Sequence, residues 1–192
     1  MLHDVRHQSL PPAHADAGSG RVAQALDPLS GLVGHDGFVA LAHSRLGRKL
    51  RSASALTMIE IDHFDALLGR FGADCGDMVI RGVAQALQSI VRDRDVVGRI
   101  DATTFAVLHT EIDVGAVRAV GERLRRTVQA LGFYGDDGAS IPVTVSIGID
   151  AVIGTGRPDS PDLPSVMAQA SARLDAARDA GCNRVVAPTA IG

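Results

Sequence analysis

The chain has 192 residues, 46% of them hydrophobic but only 3% aromatic and none of them Trp, so a single α/β domain with a core of Ala, Val, Leu and Ile plus a tail is expected. A formal net charge of -3 gives no general attraction to nucleic acid or an acidic membrane, and any anion site must come from local Arg clustering. Cys75 and Cys182 lack a metal-ligand spacing, no apolar run nears the ~20 residues of a membrane span, and the N-terminus lacks a signal-peptide stretch; a cytoplasmic protein is expected.

Residues 1–20 are polar and broken by Pro11, Pro12, Gly18 and Gly20, which predicts a disordered tail. A domain over residues 21–188 and a short C-terminal tail, 189–192, complete the expected organisation. Within the domain, a helical start over 21–26 leads into Asp27-Pro28-Leu29-Ser30-Gly31-Leu32, and a helix follows from Asp36 to about Leu50. The apolar run Leu56 to Asp62 predicts a buried strand ending in acids, and Phe64 to Gly72 a connector. Asp74, with Asp77 three residues on, marks the start of a long helix whose apolar face is Val79, Val83, Leu87 and Ile90.

Residues 95–100 and 104–109 form a strand pair across a short turn. Residues 113–131 are helical, with Val117, Val120, Leu124, Val128 and Leu131 on one stripe. From Pro142 to Val152 the pattern alternates, Val143, Val145, Ile147 and Ile149 facing one way. A Gly/Pro loop over 154–161 precedes a helix from Leu163 to Ala180 that stops at Gly181, and a short strand over 183–187 ends the domain. This order predicts an α+β fold of palm or ferredoxin-like kind, with a mostly antiparallel sheet of about five strands flanked by helices.

Four motifs occur in a fixed order: Asp-Pro-Leu-Ser-Gly-Leu at 27–32, Phe-Gly-Ala-Asp-Cys-Gly-Asp at 71–77, Val-Ser-Ile-Gly-Ile at 145–149 and Ala-Gly-Cys-Asn at 180–183. Between the second and third stands Arg92-Asp-Arg-Asp-Val-Val-Gly-Arg-Ile-Asp-Ala-Thr-Thr-Phe105. Together they resemble the GGDEF (diguanylate cyclase) family over about Asp27 to Ala187. The hairpin that gives the family its name reads Asp101-Ala102-Thr103-Thr104-Phe105 here, so only the phenylalanine is kept.

The resemblance implies condensation of two GTP molecules across a dimer, with magnesium held by carboxylates to stabilise the attacking oxygen and the triphosphate. The family's first metal-ligand position is Glu60, with Asp62 two residues on; its second is Thr103, and the adjoining acidic position is Thr104. The phosphate-contacting Lys position reads Asp65, the guanine-contacting Asn position Leu68, and the partner Asp is kept as Asp77. On the last helix Arg178 and Cys182 stand where the family has Lys and Arg. Glu60, Asp77, Thr103, Thr104 and Arg178 therefore form a vestigial substrate site, and the sequence reading is of a degenerate domain that is not an enzyme, with no catalytic residue, metal or cofactor. Plainer roles stand beside these: Asp77 suits a helix first turn, and Glu60 and Asp62 suit a strand end.

Arg92 and Asp95 match the family's Arg-x-x-Asp inhibitory site in type and in distance from the hairpin, and Arg123 falls where a further Arg completes it, often across a dimer. A guanidinium fork suits phosphate and the guanine Hoogsteen edge, and a carboxylate accepts from guanine N–H groups. The resemblance thus implies a receptor for the bacterial second messenger cyclic di-GMP, acting on a signalling partner, with a homodimer expected; from charge and hydropathy, no nucleic-acid or membrane partner is expected. The competing readings are a protein-interaction scaffold that binds no nucleotide, a residual nucleotide enzyme, and a solvated charge run at 92–95 with Arg123 on the exposed face Arg118, Glu122, Arg123, Arg125, Arg126.

Overall fold

The structure, a computed structural model, describes residues 25–46, 53–135, 138–152 and 162–188. The expected N-terminal tail, residues 21–24 and 47–50, the Gly/Pro loop and the C-terminal tail lie outside the described residues. The elements are α1 (His35–Leu46), β1 (Ala53–Ile61), α2 (Phe64–Ile90), β2 (Val96–Arg99) and β3 (Thr104–Ile112), then a 3-10 turn at Val114–Ala116 that runs into α3 (Val117–Gln129). They continue as β4 (Phe133–Tyr134), β5 (Ser140–Ile141), β6 (Val145–Val152), α4 (Leu163–Asp179) and β7 (Val185–Val186).

Five strands form one sheet in the order β2-β3-β1-β6-β7, antiparallel except for the β6–β7 pair. Both faces are covered. Ile59, Phe105, Val107, Ile147 and Ile149 pack with Val79, Val83, Leu87 of α2 and Leu124, Val128 of α3. Leu56, Met58, Ala106 and Leu108 pack with Phe38 and Ala42 of α1 and with Val166, Ala170 and Leu174 of α4. Burial on both faces is why β1 reads as a continuous apolar run and not as an alternation. The fold is α+β, as expected. Gly148 is required where α4 crosses β6, because a Cβ there would overlap the backbone of Ala170 and Leu174.

Three local features differ from the sequence reading. The connector at 64–72 is already helical, since Phe64 and Leu67, one helical turn apart, are both buried in the core. The break is at Gly72, with φ 82 and ψ 175, so Asp74 lies past the break within α2, whose N-cap residue is His63. Ala25 and Leu26 are not helical; Leu26 bridges Val33, which in turn bridges Gly98. The β4–β5 hairpin was not expected; its Phe133 packs over Gly82, where a Cβ would meet the ring at 2.6 Å. The helix ends are closer to expectation: Asp162 caps α4 by accepting from Ser165 N at 2.9 Å, and Gly181 takes φ 109 just past its end.

Candidate functional site

Two places carry the residues singled out by the sequence. The first is a cleft of about 510 Å³ at the end of β1, whose walls include Glu60, Asp62, Asp65, Thr103, Arg178 and Cys182. The structure brings Glu60, Thr103 and Arg178 together there, sets Thr104 opposite Glu60 in the β1–β3 ladder, and leaves Asp77 on α2 outside the lining. Arg178 reaches Glu60 at 3.2 Å and Asp175 at 3.7 Å. Burial holds the Glu60 carboxyl above its ordinary value; Arg178 opposes the shift, while Asp101, Asp175 and Asp62 reinforce it.

Asp62 is a structural hub. Its carboxylate accepts from the Thr144 and Ser146 hydroxyls, both at 2.6 Å, and from Asn183 N at 3.0 Å. It thereby ties the ends of β1 and β6 to the turn after α4, where Cys182 and Asn183 take left-handed φ of 60 and 47. Burial pushes the Cys182 thiol up, and the Asp62 charge adds to the shift.

The hairpin turn is rebuilt without glycine. Asp101 Oδ1 accepts from Thr103 N at 3.1 Å and Thr104 N at 2.9 Å, an Asx-type closure. Arg99 clamps it from the other side, donating to Asp101 O at 3.1 Å, to Ala102 O at 2.8 Å and to Asp27 Oδ1 at 2.9 Å. No residue from 100 to 104 has positive φ, so this turn closes without a glycine. Asp27, Arg99 and Asp101 were missed as site-builders, and Asp62 was read only as an acid at a strand end; an Asp two and three residues before two amides was the one local signal.

Magnesium takes an octahedron of hard oxygens, commonly one or two carboxylates completed by water and substrate phosphates. Glu60 is ion-paired to Arg178, the Asp62 oxygens are taken by three donors, and Thr103 and Thr104 are neutral. Among the described residues no group of three His, Cys, Asp or Glu side chains is placed to hold a metal. With Thr103 and Thr104 neutral, a magnesium ion here would draw on fewer carboxylates than acids at those positions would give it.

The second place is the turn between α2 and β2. Asp95 Oδ2 accepts from Arg92 N at 3.2 Å, Asp95 Oδ1 accepts from Thr110 N at 3.1 Å, and His109 Nδ1 lies 3.4 Å from Oδ2. The Asp95 side chain is only 5% exposed. Burial alone would raise its carboxyl; the hydrogen bonds from His109, Thr110 and Arg92 outweigh burial and hold it below its ordinary value. Arg92 is exposed, and its guanidinium has no hydrogen bond or ion pair among the described residues. Arg123, on α3, donates to Ile90 O at 3.4 Å; Ile90 ends α2, two positions before Arg92 in the chain. Beside it, Arg118, Glu122 and Arg126 line an open groove along α3.

A family model described as "Diguanylate cyclase, GGDEF domain" matches residues 24–184. The chain belongs to the GGDEF family. It is 29% identical over 161 residues to the probable diguanylate cyclase DgcT of Escherichia coli (strain K12), covering 83% of this chain and 35% of that protein. It is 32% identical over 139 residues to diguanylate cyclase A of Treponema denticola, covering 72% and 36%. The GGDEF chain thus spans about a third of the length of these curated relatives. Diguanylate cyclase SiaD of Pseudomonas aeruginosa, solved in complex with its activator SiaC, matches with TM-score 0.77 and 25% identity over 87% of this chain and 64% of that one. The GGDEF domain of DgcB from Caulobacter crescentus, solved in complex with c-di-GMP, matches with TM-score 0.77 over 97% of both chains at 24% identity, a likeness of fold.

These relatives correct the expectation that the chain is not an enzyme: the family is described by diguanylate cyclase activity, and DgcT and diguanylate cyclase A carry that name. The expectation rested on Asp65, Leu68, Thr103, Thr104 and Cys182, which replace the family's Lys, Asn, acidic and Arg positions. The GGDEF domain nonetheless keeps an open cleft there, beside a well-closed turn. Among the described residues no helix is long and apolar enough to cross a membrane.

Proposed function

We propose that this GGDEF domain binds cyclic di-GMP at Arg92 and Arg123 and passes its occupancy to a partner protein. The observation that carries the reading is the exposed Arg92 guanidinium on a turn pinned by the buried Asp95 side chain, with Arg123 anchored to Ile90 O at the end of α2. Charge supports it. The cleft at Glu60 carries Asp62, Asp65 and Asp179 on its walls with Arg178 as the one Arg or Lys, whereas the α3 groove carries Arg118, Arg123 and Arg126 against Glu122. A doubly anionic ligand is favoured on the second.

Asp95 acts in this reading by holding the turn, since its oxygens are already engaged. Micromolar affinity needs about 8 kcal/mol, and each charge-assisted contact supplies about 1.5 to 3 kcal/mol. Two arginines leave a deficit that base stacking, a further groove cation or a second copy of the domain must fill, so dimerisation on binding is part of the proposal. A protein partner accords with SiaD, which is solved with an activator. Calorimetry with cyclic di-GMP tests the reading: micromolar binding lost in Arg92→Ala supports it, and absence of heat at high micromolar ligand rejects it in favour of a scaffold. Incubation of the same preparation with GTP and magnesium, read by chromatography for a cyclic product, reports on cyclase chemistry separately.

A further inference from the structure

In the β1–β3 ladder Ala55 pairs with His109 but Ala53 pairs with Ile112, so β3 carries an extra residue there. Glu111 in this bulge takes φ 53, a left-handed conformation uncommon for Glu. Bulges bend a strand and re-aim its side chains. Here three consecutive residues, 109 to 111, all grip the turn that carries Arg92. His109 Nδ1 lies 3.4 Å from Asp95 Oδ2; Thr110 N donates to Asp95 Oδ1 at 3.1 Å and its hydroxyl to Arg94 O at 3.1 Å; Glu111 pairs with Arg94 at 2.9 Å.

The imidazole is the informative member. Its side chain is 7% exposed, and its Nε2 is buried with no hydrogen-bond partner. An apolar side chain would fill the position without that orphaned atom. The polar ring accounts for itself only through the nitrogen that meets Asp95.

We infer that His109 is a positioning residue for the anion site: its Nδ1–H fixes Asp95, whose carboxylate holds the Arg92 amide and so presents the Arg92 guanidinium. This inference rests on the cyclic di-GMP site proposed above. It requires a proton on Nδ1, which the Nδ1–H tautomer and the imidazolium both supply.

Two substitutions separate positioning from simple filling of the core. His109→Asn can place an amide N–H near the position of Nδ1 and removes the orphaned nitrogen; His109→Leu keeps the volume and removes the donor. Positioning requires that Leu speed hydrogen exchange at the Asp95 and Thr110 amides relative to Val107, and weaken cyclic di-GMP binding, each on the order of tenfold, the loss of one hydrogen bond to a charged group. Asn should preserve both. The inference is overturned if Leu leaves exchange at Asp95 and Thr110 unchanged, or if Asn disturbs them as much as Leu does. Should the unmodified domain give no binding heat, the ligand site falls, and the exchange data alone decide whether His109 holds the turn.

Discussion

Replacing Asp95 by Ala removes the acceptor of three donors at once. Arg92 N is at the surface and can turn to water, but Thr110 and His109 are 5% and 6% exposed, and among the described residues Asp95 is the acceptor facing the Thr110 N–H and His109 Nδ1. Each buried donor left unsatisfied costs about 1–3 kcal/mol, and entry of water into the vacated space recovers part of that. A loss of about 2–4 kcal/mol is expected, or a fall in Tm of about 5–15 °C for a chain of this size. Urea unfolding followed by circular dichroism measures it directly.

The pH dependence has a definite sign. The folded carboxyl of Asp95 titrates below its unfolded value of 3.8, so its contribution is fully present above that value and is lost as pH falls through the folded one. The stability gap between the unmodified domain and Asp95→Asn should be constant near neutrality and narrow below about pH 4. An Asp95→Ala domain within about 0.5 kcal/mol of the unmodified one, a surface-like effect, would refute the view that this carboxylate anchors the turn.

Asp62→Ala strips the acceptor of Thr144, Ser146 and Asn183 and should cost about 2–4 kcal/mol, seen as a lowered Tm with earlier hydrogen exchange at Asn183. Gly148→Ala forces a methyl into the α4 backbone and should lower the urea midpoint by the equivalent of about 1–3 kcal/mol; a neutral result would mean that α4 lies farther from β6. Thr103→Glu sets a second carboxylate in the cleft with Glu60, so millimolar magnesium should raise the Tm of this variant by a few degrees, about 1.4 kcal/mol at ten times Kd, and shift the unmodified domain less. Equal shifts in the two would contradict the reading of the donor set.

Where a side chain's neighbours are close in sequence, the fold could be read before it was seen. The alternation at 143–149, the apolar stripe of α3 and the stop at Gly181 report local geometry, and the structure agrees with each. The early start of α2 was hidden because Gly69 and Gly72 read as loop, whereas burial of Phe64 and Leu67 decides the conformation. The β4–β5 strands are two residues each, too short to show a period.

The candidate site follows the same division. Glu60, Thr103 and Arg178 were placed in one cleft through motif order. Asp95 was read as a ligand contact, but the residues that engage it, His109 and Thr110, stand 14 and 15 positions away and converge only through the β3 bulge. The Arg99–Asp27 clamp spans 72 positions and the Asp62–Asn183 tie spans 121. Such pairings carry no signature at either end.

The central claim is that the Arg92 and Arg123 face, and not the acidic cleft, is where this GGDEF domain holds its dinucleotide. Titration of cyclic di-GMP into the unmodified domain, Arg92→Ala, Arg123→Ala and Arg178→Ala tests it in one series. The account expects micromolar binding that each of the first two substitutions weakens at least tenfold, the loss of one charge-assisted contact, and that Arg178→Ala leaves intact. Binding that survives Arg92→Ala and Arg123→Ala but is lost with Arg178→Ala would contradict it.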